Sequence, residues 1–189
     1  WSAIVKKSRN SLAIMAFTSI IEIIVFLPLV FFVPFPTVDI WYFLIATTIL
    51  HGFYRYSVIA SYNYADLSFV YPIARGGSCF IIGVISLFLL SNNISFFGTI
   101  GILVTCLGLF MISFMSAKKF NQKGFLLAIL TAVLIAAYTI IDGIGVRNTE
   151  NAFTYIFWML LLNGIPMLIY ALISKNGFRK KNTYSLIEG

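Results

Sequence analysis

The chain has 189 residues, of which 60% are hydrophobic and 10% charged, with a mean hydropathy of +0.97 and a formal net charge of +7. An ordinary soluble domain carries about 25% charged residues, so composition excludes one and points to a polytopic membrane protein, all-helical because no ten-residue alternating strand pattern appears. Most of the basic excess falls in three short clusters between apolar runs, the signature of topogenic charge, which argues against a nucleic-acid surface.

Residues 1–10 hold Lys6, Lys7 and Arg9 and read as the exit of an earlier helix followed by a basic loop. Trp1 is not an initiator methionine, no signal peptide precedes it, and the C-terminus, Asn182–Gly189, is abrupt, so a fragment cut at both ends is expected. Residues 11–33 are the first complete span, apolar apart from Thr18, Ser19 and Glu22. Pro28 should kink its second half, and Pro34 and Pro36 should end it. Residues 39–61 form the next span, entered through Trp41 and Tyr42 as an interfacial belt, with His51 and Arg55 at i,i+4 spacing.

After a short turn at 62–65 comes the stretch with the most unusual composition, Asp66-Leu67-Ser68-Phe69-Val70-Tyr71-Pro72-Ile73-Ala74-Arg75-Gly76-Gly77, which opens an apolar run to about Leu90. Pro72 has no amide hydrogen, so the Ser68 carbonyl loses its helical partner, and this part of the helix should face protein or a water-filled cavity. A charge at the bilayer centre costs roughly 3 kcal/mol, against about −0.3 to −0.6 kcal/mol for each Leu, Ile, Phe or Val. The apolar residues outweigh Arg75, the helix still inserts, and the arginine needs a partner. Pro72, Gly76 and Gly77 are expected helix-breaking positions.

Beyond a tight uncharged turn at 91–95, residues 96–115 form a span with Gly98, Gly101, Thr105 and Gly108 on one stripe, which predicts close helix packing. Lys118, Lys119 and Lys123 make the second basic loop. Residues 124–145 form a span with Thr131, Tyr138 and Asp142 on one face. A nearly neutral turn leads to the last complete span, 152–174, interrupted by Asn163, Gly164 and Pro166. Lys175, Arg179, Lys180 and Lys181 form the third basic loop. Six full spans are predicted. With alternate loops assigned to one side, ten Lys and Arg share it and only Arg147 opposes them, so loops 1–10, 116–123 and 175–189 should be cytoplasmic. The expected location is the plasma (bacterial inner) membrane.

An internal repeat is visible. Ala16-Phe17-Thr18 recurs as Ala152-Phe153-Thr154, each copy opening a span with a later proline, Pro28 and Pro166. The offset covers five spans, and an odd number reverses orientation, so the second copy would be inverted, as in many secondary transporters.

The run from Asp66 to Gly76 resembles the fourth-helix signature of EamA-type proteins in the drug/metabolite transporter (DMT) superfamily. Trp1 followed by Lys6, Lys7 and Ser8 looks like the end of that family's first helix, and Ala137-Tyr138-Thr139-Ile140-Ile141-Asp142-Gly143-Ile144-Gly145-Val146-Arg147 is similar to the first helix of its second repeat. The resemblance implies ten helices in two inverted five-helix repeats around a central substrate cavity. Residues 1–115 would be the first repeat lacking most of helix one, 116–123 a cytoplasmic basic linker, and 124–189 the start of the second repeat, without helices eight to ten. The family often has a Gly-Glu pair after its fourth helix; this chain has Ser91-Asn92-Asn93 there, so no role of that glutamate carries over.

Ionisable groups at membrane depth are functional candidates by default. Arg75 meets either a substrate anion or a fixed aspartate partner, Asp142 or Asp66. Glu22 is a coupling-proton carrier or a neutral acid bonded to a neighbouring helix. His51 is a packing residue or a proton relay. Arg55 lies near enough to its helix end to snorkel. Tyr62, Tyr64, Tyr71, Tyr138 and Trp158 either line a cavity or pack, and Asn163 beside Gly164 and Pro166 marks a broken helix of the kind that borders transporter binding sites. Cys79 and Cys106 read as small packing residues. The function expected is a secondary transporter, an exporter or permease of a small metabolite working by alternating access. The alternative is a non-transporting accessory or lipid-carrier flippase subunit. One histidine, no Cys/His cluster and no paired carboxylates argue against an enzyme, a metal site or a cofactor. The expected partners are a small-molecule substrate and the lipid bilayer.

Overall fold

In lipid every backbone N–H and C=O must be satisfied within its own segment, which for a single chain of apolar runs means helices. The computed structural model describes residues 11–89, 95–116 and 121–173, and these are mostly helical, with no strand among the described residues. The helices are α1 (Ser11–Leu29), α2 (Val38–Tyr64), α3 (Leu67–Leu89), α4 (Phe96–Ser116), α5 (Gln122–Arg147), α6 (Ala152–Asn163) and α7 (Ile165–Ile173). Six stretches among them are long and apolar enough to cross a membrane, α6 and α7 together making one. The chain is a polytopic, all-helical membrane protein.

Local chemistry accounts for the ends. The residues after Pro28 tighten into a 3-10 turn, Val30–Phe32, before Pro34 and Pro36 stop the first span. Side-chain oxygens of Asn121 and Asn151 cap α5 and α6, accepting from the amides of Gly124 at 3.1 Å and Phe153 at 2.9 Å. The second span is longer than expected, reaching Tyr64, and only Ala65 and Asp66 separate it from α3. The Ala65 amide still donates to the Ser61 carbonyl, and the Asp66 carbonyl already accepts from Phe69 and Val70, so one helix ends almost where the next begins. At 27 residues α2 is about 40 Å long, against a hydrocarbon core of about 30 Å, so it tilts or projects from the bilayer.

Neighbours in sequence are not always the main neighbours in space. α5 lies between α2 and α3 and packs extensively on both, α4 covers the far side of α3, and α1, α6 and α7 gather on the other side of α2. Small residues set the approaches. A Cβ on Gly124 would come within 2.6 Å of the Ala65 Cβ, and one on Gly77 within 2.9 Å of the Ala132 Cβ, so larger residues at either place would push α5 outward.

Two expectations are corrected. Pro72, Gly76 and Gly77 do not break their helix, because α3 runs without interruption from Leu67 to Leu89. Ser113 of α4 donates to the Phe69 carbonyl at 2.6 Å, and Cys106 Sγ reaches the Gly76 carbonyl at 3.4 Å, so a neighbouring helix serves the backbone beside both positions. The two glycines instead let α4 and α5 come close, Gly76 against Leu109 and Gly77 against Ala132. The stripe of Gly101, Thr105 and Gly108 on α4 does not pack: Gly101 and Gly108 have open space where a Cβ would stand. α4 meets α3 through Ile102, Cys106, Leu109 and Ser113 instead. The last span is divided at Gly164, between Asn163 and Pro166. Most of the charge that sets the expected orientation, in residues 1–10, 117–120 and 174–189, lies outside the described residues. Lys123 stands at the start of α5 with its ammonium 5.9 Å from the centre of the Tyr64 ring.

Candidate functional site

The helical period puts Tyr54 and Val58 on one face of α2, Tyr71, Ala74 and Arg75 on one face of α3, and Thr131, Ile135 and Tyr138 on one face of α5. Because α5 fills the space between α2 and α3, these faces converge. They border a narrow, half-open cleft of about 10 Å³, room for about one water molecule, lined by Tyr54, Tyr62, Tyr71, Arg75 and Thr131 over Val58, Val70, Ala74 and Ile135. The cleft runs from near the joined ends of α2 and α3, at Tyr62 and Val70, along to Arg75.

Among the described residues Arg75 supplies the only charge in that lining, and it is exposed. Its guanidinium carbon lies 5.8 Å from the centre of the Tyr71 ring, a cation–π distance, and Tyr54 and Tyr138 are its other electrostatic neighbours. Among the described residues no carboxylate lies within 4 Å of it, since the ion pair found there is Arg55–Glu22. Among the described residues, then, neither Asp142 nor Asp66, the two aspartates offered as its fixed partner, pairs with Arg75. Asp66 remains exposed at the start of α3, where a negative charge suits the helix dipole. Asp142 accepts from Tyr155 Oη at 2.8 Å. Tyr155 is fully buried and fits there because residue 145 is glycine, since any Cβ would run into its ring.

Tyr138 links the cleft to Asp142, one turn later on α5. The His51 ring stacks on Tyr138 with centroids 3.9 Å apart, and Tyr54 meets the same ring at 5.6 Å. His51 Nδ1 lies 3.0 Å from the Thr47 carbonyl and 3.2 Å from Thr47 Oγ1. The cleft floor is held by a polar seam: Thr131 Oγ1 donates to the Leu127 carbonyl at 2.7 Å and lies 2.9 Å from Ser57 Oγ on α2. The structure thus brings Arg75, Tyr71, Tyr138, His51 and Asp142 into one continuous group.

The other predicted residues lie elsewhere. Glu22 on α1 and Arg55 on α2 form an ion pair in which Arg55 Nη2 donates to both carboxylate oxygens, at 2.8 and 2.6 Å, while Nη1 donates to Ser19 Oγ at 2.8 Å. Arg55, expected to snorkel, is 7% exposed and turned inward, because Glu22 offers it a bidentate partner across the helix pair. Glu22 is the acidic member of that pair. Trp158 packs edge-on against Trp41 and Phe35, with centroids at 5.3 and 5.2 Å, and its indole N–H is buried with no hydrogen-bond acceptor. Asn163 is buried beside the α6–α7 division, its Oδ1 likewise unpartnered, and Pro166 lies against Gly52 of α2.

Sequence reasoning passed over Tyr54. The available signal was its place one turn after His51 and one turn before Val58, on the α2 face that meets α5. Among the described residues no group of three His, Cys, Asp or Glu is placed to hold a metal ion. Compared with known proteins, the chain matches no family model, no curated relative and no solved structure, so the resemblance to EamA-type transporters rests on the quoted motifs alone.

Proposed function

We propose that the protein is a secondary transporter that moves a small metabolite across the plasma or bacterial inner membrane by alternating access. The observation that carries this reading is Arg75, a guanidinium on a membrane-crossing helix, exposed beside a tyrosine-lined cleft and, among the described residues, with no carboxylate next to it. A charge at that depth is expensive, and a purely structural arginine would be expected to hold a fixed anion, as Arg55 does. A cleft built from three helices with an unpaired cation is what a passing solute requires. The resemblance and the internal repeat extend the reading to two inverted five-helix repeats, with the basic loops on the cytoplasmic side.

Flux of small labelled metabolites into proteoliposomes containing the full-length protein tests it. Saturable uptake that falls at least about tenfold in Arg75→Ala is expected, the cost of losing one charge-assisted contact in a low-dielectric site. Uptake indifferent to Arg75→Ala and Asp142→Asn removes the site and leaves the class. Absence of solute flux, with lipid-linked cargo moving instead, favours the accessory or flippase role.

A further inference from the structure

We infer that His51 is a proton-binding site, its Nε2 taking up and releasing a proton on the inner face of α2. This deepens the transporter reading, on which it rests for its biological sense, by naming a proton as the coupling ion. The binding itself is measured without any solute.

The ring lies midway along α2 and away from lipid. Ile45, Ile49, Phe53 and Tyr56 form the exposed apolar face of that helix, while Leu44, Thr47, Arg55 and Val58 are buried on the opposite one. At about 100° per residue, His51 falls on the buried side. Its Nδ1 lies 3.0 Å from the Thr47 carbonyl oxygen. A carbonyl can only accept, so Nδ1 carries the hydrogen, and in the neutral ring Nε2 then holds the lone pair. Among the described residues Nε2 has no hydrogen-bond partner. Nor is it sealed off, since the buried side-chain atoms left without a partner there belong to Thr154, Trp158 and Asn163. The ring nitrogen able to take a proton is the one left free and reachable.

The surroundings suit a charge that comes and goes. Tyr138 stacks on the ring with centroids 3.9 Å apart, giving an imidazolium an aromatic face. Asp142 on α5 attracts an imidazolium, and Arg55 on α2 repels one. The Arg55 charge is taken up by Glu22 of α1, while Asp142 also accepts the Tyr155 hydroxyl from α6. Arg75 of α3 acts on Tyr54 and Tyr138, which both touch the ring, and Tyr170 of α7 packs on Tyr56, on the outward face. Among the described residues no cluster of His, Cys, Asp or Glu could share a metal with His51, so a proton is the cation it can hold. Because Tyr138 neighbours both His51 and Arg75, a charge on the imidazole is felt beside the arginine that the transporter reading assigns to the solute.

Nitrogen-15 NMR of the full-length protein, labelled at histidine and held in lipid vesicles, tests the inference, with the signal lost in His51→Gln giving the assignment. At alkaline pH a protonated Nδ1 and a bare Nε2 are expected. On acidification the Nε2 signal should shift to the protonated position, with a midpoint between about pH 5 and 8. A neutral ring protonated at Nε2 instead of Nδ1, or a ring whose charge does not change across that range, overturns the inference, and the wild-type titration needs no variant to be active. Titration of His51 in a protein that moves no labelled metabolite upholds the site and sinks the transporter reading. Flux that depends on Arg75 while His51 stays neutral keeps the transporter and overturns the inference.

Discussion

Arg55 and Arg75 illustrate how differently two arginines can be accommodated at membrane depth. Arg55 is held by Glu22 and Ser19 from another helix, whereas Arg75 faces aromatic rings. Removing one member of a buried ion pair strands the other, which costs about 3–5 kcal/mol, while replacing both with apolar residues of similar size is often neutral. Arg55→Ala and Glu22→Ala should each therefore lower stability by about that amount, and Arg55→Met combined with Glu22→Leu should recover most of the loss. Thermal unfolding in detergent, read by circular dichroism, measures the cycle. Additive losses in the double variant would show that the pair does not act as a unit. Tyr155→Phe withdraws the hydroxyl that Asp142 accepts, and it should cost about 1.5–3 kcal/mol as a hydrogen bond to a charged group, without altering the helix count.

Among the helices, approach is decided by which face is bare. Gly124 and Gly77 are pressed against Ala65 and Ala132, whereas Gly101 and Gly108 open onto empty space. Gly124→Ala is expected to destabilise by about 1–3 kcal/mol through overpacking, since neither the Ala65 Cβ nor the adjoining backbone can rotate away. Gly101→Ala should be neutral or stabilising by up to about 1 kcal/mol, from helix propensity alone. Equal effects at the two positions, measured by unfolding in the same detergent, would contradict the packing described for α4 and α5. A small residue signals that close approach is sterically possible. Whether a partner helix arrives depends on the rest of the chain, and for this reason the α4 stripe, expected to pack, lies open, while Gly76 and Gly77, expected to break their helix, are the glycines that packing uses.

For the molecule as a whole, the six crossings are the firmest feature, and their orientation is open to a direct test. Reporter domains fused after Lys119 and after Thr149 should report opposite sides of the membrane, the former cytoplasmic, if the basic clusters direct insertion. The same side for both, or a cytoplasmic reading only after Thr149, would overturn that orientation. The crossings themselves were legible because hydrophobicity over about 20 residues is a local property, readable wherever it occurs. Arg75, Tyr71, Tyr138, His51 and Asp142 were legible as candidates for a related reason: each polar group stands out against an apolar background. Their grouping was not, since no local signal tells which helix lies beside which.

Sequence alone determined the class, the number of crossings and the suspicion attached to each buried polar side chain, because all three follow from the transfer energies of single residues and short windows. Tertiary structure decided the rest. By seating α5 between α2 and α3 it gave Glu22 to Arg55 and Asp142 to Tyr155, leaving Arg75 among tyrosines. Pairing depends on the distance between side chains far apart in the chain, and that distance is set by the packing of whole helices.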